Sequence, residues 1–201
     1  MKSWMLAGVI LMMVISCSSG PKLPLIPPDG VVLAFGDSLT YGTGAAEGYS
    51  YPEILEKLTG RRVIRSGVPG EVTAEGLLRL ERVLDTHRPA LLLLCHGGND
   101  LLQRLDQHKT ADNLRSMIRM AQQRKIPVLL IAVPALGFSL DAAPFYAQIA
   151  GELNIPLEGK ALPRVLGQGK LKSDYVHPNA AGYRKLAEDI AASLKKFGAL
   201  P

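Results

Sequence analysis

Three apolar runs constrain this chain more than any other feature: Val31–Phe35, Ala90–Cys95 and Ile126–Val133. A strand with one wet face alternates apolar and polar side chains, and these runs do not. They read as strands buried on both faces, the situation of a parallel sheet covered by helices. The intervening stretches supply the helices. Tyr51–Leu58 is a short helical segment, and Thr73–Thr86 carries Leu77, Leu78, Leu80, Val83 and Leu84 at helical spacing. Asp106–Lys125 has a polar face, Asp141–Leu153 follows the third run, and Pro178–Phe197 sets Tyr183, Leu186, Ala187, Ile190, Ala191 and Leu194 along one stripe. Brief strands at Arg62–Arg65 and Ile155–Leu157 bring the sheet to about five strands. Strands alternating with helices require right-handed crossovers, so the fold class is α/β, with three α/β/α layers around a parallel sheet.

The 201 residues hold one such domain with additions at the amino terminus. Met1-Lys2-Ser3 carries one positive charge, and Trp4–Ile15 is almost wholly apolar. That stretch is shorter than the roughly 20 residues a membrane-spanning helix needs, and it fits the apolar core of a secretory signal. It ends in Val14-Ile15-Ser16-Cys17, which resembles a bacterial lipobox. The expected organisation is a signal peptide over 1–16, an acylated Cys17 opening a tether over 17–30 that contains Pro21, Pro24, Pro27 and Pro28, and a folded domain over 31–201. This implies a membrane-anchored lipoprotein facing the periplasm or the cell surface. Ser18 in place of Asp after the cysteine points to the outer membrane where the host has one.

The net charge of +5 comes from Lys and Arg scattered over the helices, without the dense cluster that would track a phosphate backbone, so nucleic acid is not an expected partner. The two cysteines, Cys17 and Cys95, form neither a disulfide framework nor a Cys-x-x-Cys metal pair. No His-Glu-x-x-His motif occurs, and no metal or other cofactor is expected.

Four short blocks fall where the strands end: Gly36-Asp37-Ser38-Leu39-Thr40, Gly67-Val68-Pro69-Gly70-Glu71, Gly97-Gly98-Asn99-Asp100, and Asp174-Tyr175-Val176-His177-Pro178. Open α/β sheets bind ligands at the carboxyl ends of their strands, which is where Ser38 falls. Gly-Asp-Ser alone favours an ordinary strand-to-helix turn; the other blocks overturn that reading. A serine hydroxyl needs a base to become a nucleophile, and His177 is a base that works near neutrality. The imidazole needs a carboxylate to hold its tautomer, and Asp174, three residues earlier, can reach it. The oxyanion of an acyl-transfer intermediate needs donors, for which the Ser38 and Gly70 N–H groups and the Asn99 amide are candidates.

In that order the four blocks resemble the GDSL/SGNH hydrolase family over Val31 to about Phe197, and within it the compact bacterial thioesterase I/lysophospholipase/arylesterase branch. The resemblance implies a flavodoxin-like sheet, Ser38 as nucleophile with Asp174 and His177 completing a triad, and Ser38, Gly70 and Asn99 as oxyanion hole. Arg65-Ser66-Gly67 stands where many relatives have an Asn, which leaves Gly67 open beside Gly70 as the donor. The Gly-x-Ser-x-Gly elbow of α/β-hydrolases is absent. The expected activity is hydrolysis of carboxylic esters or thioesters, such as aryl esters or lysophospholipids, by a monomer. The alternatives are carbohydrate O-deacetylation on the same fold, or a lipoprotein that binds lipid or glycan without turnover.

The remaining conspicuous residues have plainer roles. Cys95 reads as buried packing, His96 as a packed or supporting residue, and His87 and His108 as solvated. Asp37 and Asp100 are expected to hold turns through side-chain-to-backbone bonds. Leu101-Leu102 and Pro134–Phe138 follow strands on the catalytic edge, where they either line an acyl groove or cap the core.

Overall fold

The computed structural model describes residues 20–135 and 140–201. Cys17 and Leu136–Phe138 lie outside the described residues. The strands are β1 (Val32–Gly36), β2 (Val63–Gly67), β3 (Leu91–Cys95), β4 (Val128–Ile131) and β5 (Leu157–Glu158), all parallel, in the order β2-β1-β3-β4-β5. The order reverses direction between β1 and β3, and the crevice at such a switch point, past the carboxyl ends of the strands, is the ligand position of a doubly wound sheet. β1 and β3 are buried along their whole length, as their unbroken apolar sequences require.

The helices are α1 (Ser38–Tyr41), α2 (Tyr51–Thr59), α3 (Thr73–His87), α4 (Gly98–Leu102), α5 (Gln107–Gln123), α6 (Pro144–Glu152), α7 (Ala161–Leu166) and α8 (Ala180–Phe197). Helix α8 packs on α2 and α7 in one layer, and α5 packs on α3 and α6 in the other. Among the described residues no helix is long and apolar enough to cross a membrane.

Three expectations need correction. Helix α6 begins at Pro144 rather than Asp141, because Pro134 and Ala142 pair in a bridge and Pro144 suits a first turn. Leu78 does not belong to the buried stripe of α3: it lies about 200° around the helix from both Gly76 and Leu80, and is 85% exposed. The domain also begins before Val31. Leu23 and Ile26 are buried in the core, and their N–H groups donate to Phe197 O and Ala199 O at 2.8 and 2.9 Å. Four prolines disguise this segment as a free tether, yet it keeps two apolar side chains at the spacing needed to cover the end of α8.

Candidate active site

Ser38 is the first residue of α1, directly past the end of β1. Gly36 makes that turn possible: a Cβ there would fall 1.9 Å from the Cys95 carbonyl oxygen on β3. Asp37 caps α1, accepting from the Leu39 N–H at 3.0 Å. Its carboxyl is buried, which pushes its pKa up, while His96, the Leu39 N–H and His177 oppose the rise.

The fourth block closes on Ser38 from the loop ahead of α8. His177 Nε2 lies 3.0 Å from Ser38 Oγ, and His177 Nδ1 lies 2.8 Å from Asp174 Oδ2. Asp174 Oδ1 also accepts from the Val176 and His177 N–H groups, each at 2.8 Å. Partial burial pushes the Asp174 carboxyl up, but the His177 ring and these two N–H groups outweigh it and hold the group below the usual aspartate range. The loop is itself anchored. Ser173 N–H donates to His177 O at 3.0 Å, and the Asn179 amide donates to Lys170 O and Lys172 O at 2.9 and 3.1 Å while its oxygen caps α8. Asn179 was not singled out from the sequence, although an Asn directly before a periodic helical run is a capping signal.

A cavity of about 260 Å³ opens over Ser38 and His177, with Gly70 and Asn99 on its wall. The rest of its lining is largely apolar and includes Leu39, Leu101, Leu102, Val133, Pro134 and Leu166. Leu101-Leu102 and Pro134 therefore line a groove over the serine. Gly67 and Gly70 take different places. A Cβ on Gly67 would lie 2.2 Å from the Tyr41 backbone nitrogen, so Gly67 serves the packing of β2 on α1, whereas Gly70 has a φ of +82° and open space beside it.

The GDSL-like Lipase/Acylhydrolase family model matches residues 34–185. The chain belongs to this family. It is 27% identical to Esterase TesA of Pseudomonas aeruginosa over 97% of this chain and 98% of that protein. It is also 27% identical to Thioesterase 1/protease 1/lysophospholipase L1 of Escherichia coli K12, over 82% and 83% of the two chains. Among solved structures it resembles AlinE4, an SGNH-hydrolase family esterase, at 34% identity and a TM-score of 0.65, covering 84% of this chain and 96% of that one.

Beneath the cavity this family member carries a buried ionic network. Arg79 Nε and Nη2 donate to the two oxygens of Glu71 at 2.5 and 2.8 Å. The same guanidinium reaches Gly36 O and Ser66 O at 3.1 and 3.0 Å, and stacks 3.8 Å over the Phe35 ring. His96, fully buried, accepts the Gly97 N–H on Nδ1 at 3.0 Å, which leaves Nε2 to carry the proton it offers to Glu71 Oε2 at 3.0 Å. The Asn99 amide donates to Glu71 O at 2.9 Å. One arginine thus ties the ends of β1 and β2 to the loop that holds Gly70, and Asn99 ties that loop to α4. His96 is the supporting residue expected, while Glu71 and Arg79 were missed as its partners. Their signal was a charged residue three positions after Gly76 on the inner side of α3, where a Cβ on Gly76 would meet His96 Nε2 at 2.4 Å.

Contrary to the expectation for it, the Asp100 carboxylate bonds to other elements rather than to the backbone of its own turn. It accepts from the Thr73 N–H at 2.9 Å, from the Thr73 hydroxyl at 2.5 Å and from the Thr110 hydroxyl at 3.2 Å, joining α4 to α3 and α5. Cys95 is buried, which raises its thiol well above the ordinary range, the state of an inert packing residue. Among the described residues no group of three or more His, Cys, Asp or Glu is placed to hold a metal ion.

Proposed function

We propose that this protein is a serine acyl hydrolase in which Ser38, His177 and Asp174 act on carboxylic esters or thioesters. The observation that carries this reading is the unbroken line from Asp174 Oδ2 through the His177 ring to Ser38 Oγ, at 2.8 and 3.0 Å, on the wall of an apolar cavity. Ser38 Oγ attacks the ester carbonyl carbon as its proton passes to His177 Nε2, and Asp174 holds the imidazole tautomer and balances the imidazolium that forms. The carbonyl oxygen, now an oxyanion, is met by the Ser38 and Gly70 N–H groups and the Asn99 amide. Gly70 is favoured over Gly67 because it faces the cavity, while Gly67 is taken up by packing. Collapse expels the alkoxide or thiolate, which takes the proton from His177. Water, deprotonated by the same base, then releases the acid from the acyl-serine. The apolar lining supports acyl chains of lipid or aryl esters as substrates.

The lipobox-like Val14–Cys17 run supports an anchored lipoprotein carrying this domain.

A panel of p-nitrophenyl esters from acetyl to palmitoyl, combined with fluorophosphonate labelling, tests the assignment. Labelling at Ser38 and turnover of acyl esters are expected, and Ser38→Ala should abolish labelling and lower kcat by at least about 10³-fold. A protein that binds these esters without turnover, or that labels elsewhere, would sink it. Activity restricted to acetyl groups would redirect the reading to O-deacetylation.

A further inference from the structure

The chain enters its domain at the edge of the sheet opposite Ser38. Leu23 and Ile26 bond to Phe197 and Ala199, and these residues close α8, which runs from the catalytic edge back to where the strands begin. With Leu23 docked, only the six residue steps from Cys17 to Leu23 can serve as tether. Extended chain covers at most about 3.6 Å per residue, or about 22 Å in all. Helix α8, 18 residues at a rise of about 1.5 Å, sets Leu23 roughly 27 Å from the catalytic edge. A lipid on Cys17 therefore reaches a bilayer more readily when the Leu23 edge faces it than when the Ser38 mouth does.

The same edge is basic. Arg62 precedes β2, Arg88 and Lys125 precede β3 and β4, and Lys195 and Lys196 close α8, all of them exposed. Beside them lie Lys22, whose Nζ donates to Lys196 O at 3.5 Å, and Leu25, which is 62% exposed. The acidic side chains here are largely engaged: Glu81 and Asp85 pair with Arg124, and Glu56 accepts from the Val63 N–H, while Asp29 is exposed. Cations at helix ends ordinarily balance the helix dipole. That accounts for Lys195 and Lys196 in the last turn of α8, for Arg88 at the end of α3 and for Lys125 just past α5, while Arg62 lies two residues beyond the cap of α2 and Lys22 stands on the docked segment, away from any helix end of its own.

We infer that this edge is the membrane face of the protein, held against anionic phospholipid headgroups, with the Ser38 mouth turned away from the bilayer that anchors the chain. The inference rests on the reading of Cys17 as the lipid anchor. Its consequence is that esters reach Ser38 from the aqueous side or from a facing surface, and lipids of the anchoring leaflet reach it only after leaving that leaflet.

The test uses the full chain in vesicles of phosphatidylcholine with phosphatidylglycerol, carrying a fluorophore through Leu25→Cys or Tyr175→Cys, with doxyl-labelled lipids as quencher. Quenching of the position 25 label but not of the position 175 label is expected, and equal or inverted quenching overturns the orientation. Cys17→Ala is measured in parallel. If it is processed as the wild type is and still stays vesicle-bound in high salt, the anchor reading fails, whatever the quenching shows. In the Cys17→Ala background, Arg62→Glu with Lys125→Glu and Lys195→Glu should weaken sedimentation with these vesicles at least about tenfold, while p-nitrophenyl acetate hydrolysis is unchanged. Undiminished binding, or equal binding to pure phosphatidylcholine, overturns the role given to these charges.

Discussion

Asn99 directs one amide hydrogen to the Glu71 carbonyl at 2.9 Å and stands on the cavity wall, where its second amide hydrogen can meet an oxyanion. A donor that meets charge only in the transition state changes kcat rather than KM. Asn99→Ala should lower kcat by about 10²–10³-fold with little change in KM, whereas a residue that only held a turn would lower the melting temperature and leave kcat per folded molecule intact. Steady-state kinetics and a melting curve on the same preparation separate the two. Glu71 acts one step back. Burial pushes its carboxyl up, but the bonds from His96 and Arg79 outweigh that and hold it below the usual glutamate range. The folded protein thus binds this proton less tightly than the unfolded chain does. The resulting stability is fully present above the unfolded value of about 4.3 and is lost as pH falls through the lower folded value. Glu71→Gln should cost about 2–4 kcal/mol at neutral pH, because it leaves Arg79 largely buried without its counter-ion. Below about pH 5 the wild type should lose melting temperature more steeply than the variant, so that the two curves converge. Parallel curves would remove Glu71 from the acid response.

At the scale of elements, the strands were legible because burial on both faces leaves a run of five apolar residues that no amphipathic helix imitates. Helices α1 and α4, with four and five residues, are too short to show a period, yet they carry Ser38 and Asn99. Motif order, rather than periodicity, located the site. The contact of Ser38, His177 and Asp174 was legible because Asp174 and His177 are local partners on one turn and only Ser38 had to be brought in by the fold. The Glu71–Arg79–His96 network was not, since His96 stands 25 residues from Glu71 and the chain between them holds a helix and a strand. Nothing in a one-dimensional pattern pairs those residues before β1, β2 and β3 are laid side by side. That lateral contact also explains Gly36, the junction of β1 with α1. Adding a methyl group 1.9 Å from the Cys95 oxygen would force β1 and β3 apart at their catalytic ends. Gly36→Ala should destabilise the protein by about 2–4 kcal/mol in urea unfolding and reduce activity by displacing Ser38. A variant of wild-type stability would show that the two strand ends can part without cost.

Across the whole molecule, the strand ends divide the labour: the carboxyl edge carries the candidate site and the amino edge receives the chain. Residues 23–26 belong to the folded body in this arrangement, although their proline-rich sequence reads as linker. Ile26 is 2% exposed, its N–H donates to Ala199 O at 2.9 Å, and its carbonyl accepts from Arg61 Nε at 3.3 Å. A segment that contributed only reach would tolerate truncation of its side chains. A segment that closes the end of the core would not, because loss of a buried branched side chain forfeits its transfer free energy and leaves a cavity. Ile26→Ala should therefore lower the unfolding free energy by about 2–4 kcal/mol, or the melting temperature by roughly 5–15 °C for a domain of this size. Leu25→Ala, next in sequence but exposed, should stay within about 0.5 kcal/mol of wild type. Because both positions lie across the sheet from Ser38, hydrolysis of a short p-nitrophenyl ester per folded molecule should not change in either variant. Equal and negligible effects at the two positions would return the segment to the role of a tether and move the start of the domain back to Val31.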